Sequence, residues 1–268
     1  MSEVWSWLGF DEQQRMDGVV QRLDLTTKAG EVANFSLDTD EFWSGQQELV
    51  LEISGDIGDG ALVHVDIIVA GTRGQKIHIV SRLDLAKQAH LEVTELLACD
   101  GEVSLARQID LAGADSKVAI KTVYVVRSGK LSWQTLVNHS GQRTESHLET
   151  VGWLAEGAYK SWQASLDMHV GCSESKGSEN ETVWVTGKNV VNKSLPIIKA
   201  DEQDMRADHS VAIGQIPEEI VVYMRSRGWR YDEARQYYGK ENLRHNLDSV
   251  SKKSIQNKLY NIIDQIVK

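Results

Sequence analysis

The sequence predicts a mainly β chain, a β-solenoid that leads into a C-terminal helical subdomain. Three observations carry this reading. The first is alternation. Val63, Val65, Ile67 and Val69 are apolar while His64 and Asp66 between them are polar, a period of two that belongs to strands. The second is repetition. Ile77, Ile79, Leu83 and Leu85 recur 26 residues later as Val103, Leu105, Ile109 and Leu111, and Arg82–Ala86 (RLDLA) recurs as Gln108–Ala112 (QIDLA). Leu131 and Trp133 continue the series 28 residues on, and Ser132-Trp133-Gln134 returns after 29 as Ser161-Trp162-Gln163. A unit that recurs at this length stacks on its neighbours because it cannot bury its apolar face alone. The third is a change of pattern after about residue 215, where capping signals and a wider apolar spacing announce helices.

Taken in order, residues 1–20 are expected to be an N-terminal cap segment and residues 21–215 the repeating core, with two or more short strands per repeat. Residues 216–268 form the helical subdomain. Glycines such as Gly71, Gly101, Gly129 and Gly157 mark the joints between strands. The competing architecture is an antiparallel sandwich, whose strands follow one another at similar spacing. A solenoid exposes strand edges at its ends, and these need covering; the N-terminal segment and the C-terminal helices are the candidate caps. Pro217 at a first helical position, Glu218 and Glu219 in the first turn, Arg225 and Arg227 in the last turn and Gly228 as the stop define one helix. A second is expected over Asp232 to Tyr238. The last, roughly Lys252 to Val267, places Ile255, Leu259, Ile262, Ile263 and Ile266 on one face.

Composition narrows the function. The chain of 268 residues has a net charge of −10, and its helical tail carries ten Lys/Arg against seven Asp/Glu, so the acid is concentrated in the core. A nucleic-acid partner is not expected, since phosphate binding needs a basic face. The N-terminus lacks the basic and apolar regions of a signal peptide, and no apolar run reaches membrane-spanning length. Together with two unpaired cysteines, Cys99 and Cys172, this predicts a cytoplasmic protein without membrane attachment. Cys172 falls in a polar segment, GCSESKGSEN, that reads as surface loop. No phosphate loop and no nucleophile elbow occurs, and the acids are dispersed, so no enzymatic activity is expected. None of the eight histidines pairs in a metal-binding spacing, and His64 and His78 take the polar, outward phase of their strands. A carbohydrate-active β-helix enzyme is the reading from another class; it would want clustered carboxylates.

His209 opens the string HSVAIGQIPEE, and this string carries a resemblance. His209, Gly214, Gln215 and Ile216, then Val222 to Gly228 (VYMRSRG), then Glu233-Ala234-Arg235 resemble the corresponding stretch of the SufB/SufD family, most closely its SufD branch. Leu136 to Gly141 (LVNHSG) is similar to a turn of the same family. The resemblance covers roughly Leu131 to Tyr238, and the chain looks like a short form. It implies a right-handed parallel β-helix flanked by helices, a non-catalytic subunit of an iron–sulfur cluster assembly complex. It implies a SufC-type ABC ATPase as a partner, docked around Tyr223, Arg225, Arg227, Gly228, Arg230, Glu233 and Arg235. It also implies a dimer, with a SufB-like partner or with a second copy as in a minimal scaffold. No permanently bound cofactor is implied, only a transient iron–sulfur cluster at a subunit interface, with His209 as the candidate metal ligand. Departures qualify the role: Ala207 stands where SufD proteins often carry a cysteine, and Glu181 or Thr182 stands near the sulfur-carrying cysteine of SufB. A thiolate is the sulfur nucleophile and soft ligand, so this chain is expected to be a poor sulfur acceptor.

Overall fold

The computed structural model describes residues 19–42, 47–214, 216–245 and 253–266. Fourteen strands form two seven-stranded sheets, and every pairing is parallel. The odd strands, from β1 (Val19–Asp24) to β13 (Val191–Ala200), make sheet A; the even strands, from β2 (Val32–Asp38) to β14 (Met205–Gly214), make sheet B. Each turn of chain therefore lays one strand on each sheet, and the fold is a parallel β-solenoid rather than a sandwich. The sequence repeat is the register itself. Ile77 pairs with Val103, Leu105 with Trp133, and Trp133 with Trp162.

Alternation explains the inside. Along β6 (His90–Cys99), Leu91, Val93, Leu97 and Cys99 point into the solenoid and join one continuous core with Ile77, Leu105, Tyr124, Trp133 and Trp162 from other rungs. Turns stack as closely as strands do. A Cβ on Gly113 would lie 2.0 Å from the backbone nitrogen of Lys87 in the turn below, so no larger residue fits. Inside, Gly152 leaves room for the ring of Tyr124, which a Cβ would meet at 1.8 Å.

The C-terminal helices are α1 (Glu218–Ser226), α2 (Tyr231–His245) and α3 (Lys253–Ile266). They do not cap an end of the solenoid, as expected from the open strand edges; they lie on the outer face of sheet B. Ile68, Leu96, Val123, Val125, Val151 and Trp153 of that face form a second core with Val221, Ala234, Leu243 and Ile263 of the helices. The physical reason is area: the C-terminal halves of the even strands carry apolar side chains outward as well as inward, and burying them returns more than covering one polar rim. Pro217 sits just before α1 rather than in its first turn, and Gly228 follows it with φ +95°, where only glycine is relaxed. The second helix runs on past Tyr238 to His245 because Gly239 seats against Trp153. In α3, Ile263 is buried and Ile262 packs beside it. The side chains of Ile255, Leu259 and Ile266, residues 1–18 of the expected N-terminal cap over 1–20, and Gln215 lie outside the described residues, while residues 19 and 20 of that segment open β1.

Two further expectations are corrected. Cys172 is wholly buried, its thiol tucked under the last turns rather than displayed on a loop. His78 is covered, held between Ser104 Oγ (2.7 Å) and Glu48 (3.1 Å) on the outer face of sheet A. His64 is half-buried and paired with Glu92 at 2.9 Å, which agrees with an outward position.

Candidate functional site

Two regions gather the residues singled out by sequence, and a third was not foreseen. The first is the outer surface of α1 and α2. Tyr223 is 60% exposed, and Val222, Trp229, Tyr231 and Tyr237 are exposed beside it. Arginines line these rings. The Arg227 guanidinium lies 5.4 Å from the Tyr223 ring centre, and Arg225 and Arg235 flank Tyr231 at 6.0 and 5.5 Å. Trp229 packs on Tyr237 at 5.0 Å. Exposed aromatics with stacked arginines are the composition of an anchor patch in protein interfaces. Glu233 is the exception in the set: its carboxylate accepts from the Arg230 backbone N–H at 3.0 Å and caps the start of α2. Gly228 and Arg230 form the turn between the helices.

The second region is the last turn of the solenoid, β13 and β14. Its strands cover the turn below but are themselves uncovered. Ile213 (55%) stands exposed, although its register equivalents Val183, Gly152, Tyr124, Leu97 and Val69 are all buried, and Leu195 (50%) is exposed on the outer face of β13. Pro196 within β13 is typical of an edge strand, since it has no N–H to donate. His209 lies here on β14, exposed, in the phase that points along the interior column. Its register partner one rung below is Glu179 of β12 (Ser175–Val185).

The third region lies inside the last turns and had no sequence signal beyond residue type. Lys160 is fully buried. Its ammonium pairs with Glu181, donates to Ser194 Oγ at 2.8 Å, and faces the rings of Trp162, Trp133 and Tyr124 at 5.4, 5.5 and 5.6 Å. Glu181 accepts further from Tyr124 OH (3.0 Å) and Ser194 Oγ (2.5 Å). Burial pulls the Lys160 pKa down to about 8, against the opposing pull of Glu181. A second buried pair, Arg107 with Glu95 at 2.6 and 3.2 Å, sits lower in the same interior, with Thr122 donating to Glu95 at 2.7 Å. Glu179 differs from both acids: it is buried with no side-chain partner, and only the Ile197 backbone N–H works against that burial. Burial pushes its pKa up to about 8. The residue type that marks them is a charge in the inward phase of a strand: Lys160 aligns with Leu131, and Arg107 falls between Leu105 and Ile109.

The cysteines do not join these regions. Cys99 donates to the Gly101 and Lys130 carbonyls, each at 3.3 Å, and burial pushes its thiol pKa up to about 12. Among the described residues, no group of three or more His, Cys, Asp or Glu side chains converges as a metal site.

Comparison with protein families gives a match over residues 13–238, from before the first described strand to the middle of α2. The matching description is the SUF system FeS cluster assembly, SufBD core domain. The chain belongs to the SufB/SufD family. No curated protein gives a significant match. Membership places the chain in iron–sulfur cluster assembly by the SUF system. The match spans all the described strands, α1 and the first half of α2, so the interior pairs, the open last turn and the exposed patch of α1 and α2 are all parts of the SufBD core, while α3 lies beyond it. No helix among the described residues is long and apolar enough to cross a membrane.

Proposed function

We propose that this chain is a SufD-like, non-catalytic subunit of a cytoplasmic SUF complex. In this reading it docks a SufC-type ABC ATPase through α1 and α2 and helps form the cluster assembly site. The observation that carries it is the exposed patch of Tyr223, Trp229, Tyr231 and Tyr237 with Arg225, Arg227 and Arg235, on helices firmly seated against a SufBD core. A flexible tail would pay ordering entropy on binding; helices already packed on sheet B pay little. Their rigid seat also gives an ATPase a lever on the solenoid, because any displacement of α2 must move Trp153 and the strands around it.

The uncovered last turn supports a dimer. β13 and β14 present unpaired strand edges and the inward side chain of Ile213, an arrangement completed by a further strand-bearing chain. A SufB-like partner or a second copy fits there. His209 faces that junction and supplies an imidazole to iron, while the sulfur-bearing thiolate comes from the partner, since both cysteines of this chain are buried. The iron–sulfur cluster is cargo in this scheme, assembled at the interface and passed on, with no resident cofactor.

The test is co-purification with the SufC-type ATPase, with and without ATP, for wild type and for Arg227→Glu. We expect a stable complex that the variant weakens at least tenfold, with unchanged circular dichroism. Absence of any complex with the wild type refutes the docking role.

A further inference from the structure

We propose that α3 is a brace for the docking surface: Asp264 of α3, gripping Arg244 and Lys240 of α2, is a positioning residue that holds α2 in the pose the ATPase binds. The inference rests on the reading of α1 and α2 as the dock. It adds a helix that lies beyond the matched core, as do all three residues of the grip.

The first support is how little α2 buries on its own account. Its fifteen residues bury Ala234, Gly239 and Leu243. Two of these have a side chain no larger than a methyl group, so the area returned by burial is small. Gly239 also weakens the helix from within, since glycine favours the unfolded chain. A helix of this kind needs a second hold if it is to present a patch rigidly.

The second support is that α3 supplies one. The Arg244 guanidinium donates to Asp264 Oδ2 and to Glu241 Oε1, each at 2.6 Å, and lies 5.4 Å from the ring centre of Tyr260 on α3. Lys240 Nζ lies 3.7 Å from Asp264 Oδ1 and donates to the Asp264 carbonyl at 3.4 Å. One carboxylate thus holds two cations a turn apart on α2. The residue before it, Ile263, is fully buried in the second core with Leu96, Val123 and Val151 of sheet B. Asp264 therefore ties α2 to a helix that is itself anchored in the solenoid face. An isolated exposed ion pair holds little, but a network of several charges with a stacked ring holds more.

The third support is placement. Tyr237, Lys240, Glu241 and Arg244 follow one another at helical spacing and share one stripe of α2. Its N-terminal end, Tyr237 packed on Trp229, is exposed and belongs to the docking patch. Its C-terminal end is the part that α3 grips. Because a helix moves as a rod, fixing Lys240 and Arg244 fixes the tilt of Tyr231, Arg235 and Tyr237.

The experiment uses the full chain, titrated with the SufC-type ATPase, and hydrogen exchange with and without it. Asp264→Ala, which keeps α3 a good helix, and Arg244→Met, which breaks the grip from the α2 side, are each expected to weaken docking about three- to tenfold. The affinity falls by the fraction of time α2 is seated. Exchange should quicken across residues 231–245 and not in the strands, and saturating ATPase should restore the protection. Asp264→Glu should recover most of the binding. Asn261→Ala, on the exposed side of α3, should bind as wild type does. If Asp264→Ala binds as wild type while exchange quickens, Asp264 is only structural; the brace is overturned and the docking reading stands. If binding weakens without quickened exchange, or Asn261→Ala weakens it equally, α3 touches the ATPase directly and the brace is again overturned. If the wild type binds no ATPase, the docking reading falls and this inference with it. Thermal unfolding of each variant confirms that folded chains are being compared.

Discussion

Replacing Lys160 by Met should be among the most damaging single changes in the solenoid, and the reason is its partner rather than itself. Lys160 is completely enclosed, and its ammonium balances the equally enclosed Glu181. Without it, Glu181 keeps only the Tyr124 and Ser194 hydroxyls as donors. Leaving one charge of a buried pair uncompensated costs about 3–5 kcal/mol. The double variant Lys160→Met with Glu181→Gln removes both charges and retains an acceptor for the two hydroxyls, so it should recover about 2 kcal/mol or more of that loss. Urea unfolding followed by tryptophan fluorescence measures both, and Trp133 and Trp162 stand beside the change. A pH series adds a second readout. The folded-state pKa of Lys160, about 8, lies below its ordinary 10.5, so between those values the unfolded chain binds more protons and stability rises with pH. At 1.36 kcal/mol per unit, the rise is at most about 3 kcal/mol, and it should be missing from the double variant. The reasoning is refuted if the single variant loses less than about 1 kcal/mol, if the double variant is no more stable than the single one, or if wild type and double variant share one alkaline profile.

Two other outcomes follow from the same geometry. Gly239→Ala would bring a Cβ to 1.9 Å from the Trp153 ring, so α2 must lift from sheet B; a loss of about 1–3 kcal/mol is expected from overpacking. Hydrogen exchange should quicken across residues 218–245 while the strands of sheet A keep their protection. His139 is buried among Thr144 and Ser146, which bond its two ring nitrogens at 2.7 and 2.8 Å, and burial, with His169 nearby, holds its pKa down to about 4. The unfolded chain therefore takes up a proton near pH 6.5 that the folded chain refuses, so stability is lost as pH falls from about 6.5 to 4, by at most about 3 kcal/mol. His139→Gln should flatten that limb of the unfolding midpoint against pH.

Much of the fold can be read from particular residues. The pairs Ile77 and Val103, Leu105 and Trp133, and Trp133 and Trp162 are spaced by the repeat and are also register partners. The first helix begins and ends within a residue of its capping signals. A second periodicity lies within the first. The strings Ile67-Ile68-Val69, Leu96-Leu97-Ala98 and Val123–Val126 break strict alternation at the same point of three rungs, which marks a strand half buried on both faces. This outward apolar stripe is the surface on which the helices pack, on sheet B instead of over an end. Cys172 reads as surface because its neighbours in sequence are polar, while its burial depends on the turns stacked around it.

The sequence by itself determined the solenoid, its repeat, the helices that follow and, through the string from His209 to Arg235, the family. These are local or periodic properties, and in a stacked parallel fold each repeat meets only the next, so spacing along the chain becomes spacing between rungs. Only the tertiary structure decided that Lys160 and Glu181 neutralise one another, that Glu179 is buried without a side-chain partner, and that the last turn is open. Those facts depend on which side chains from opposite sheets meet across the interior, and on what covers them there. No periodicity encodes that meeting, because it is set by how the two sheets are brought together at the turns.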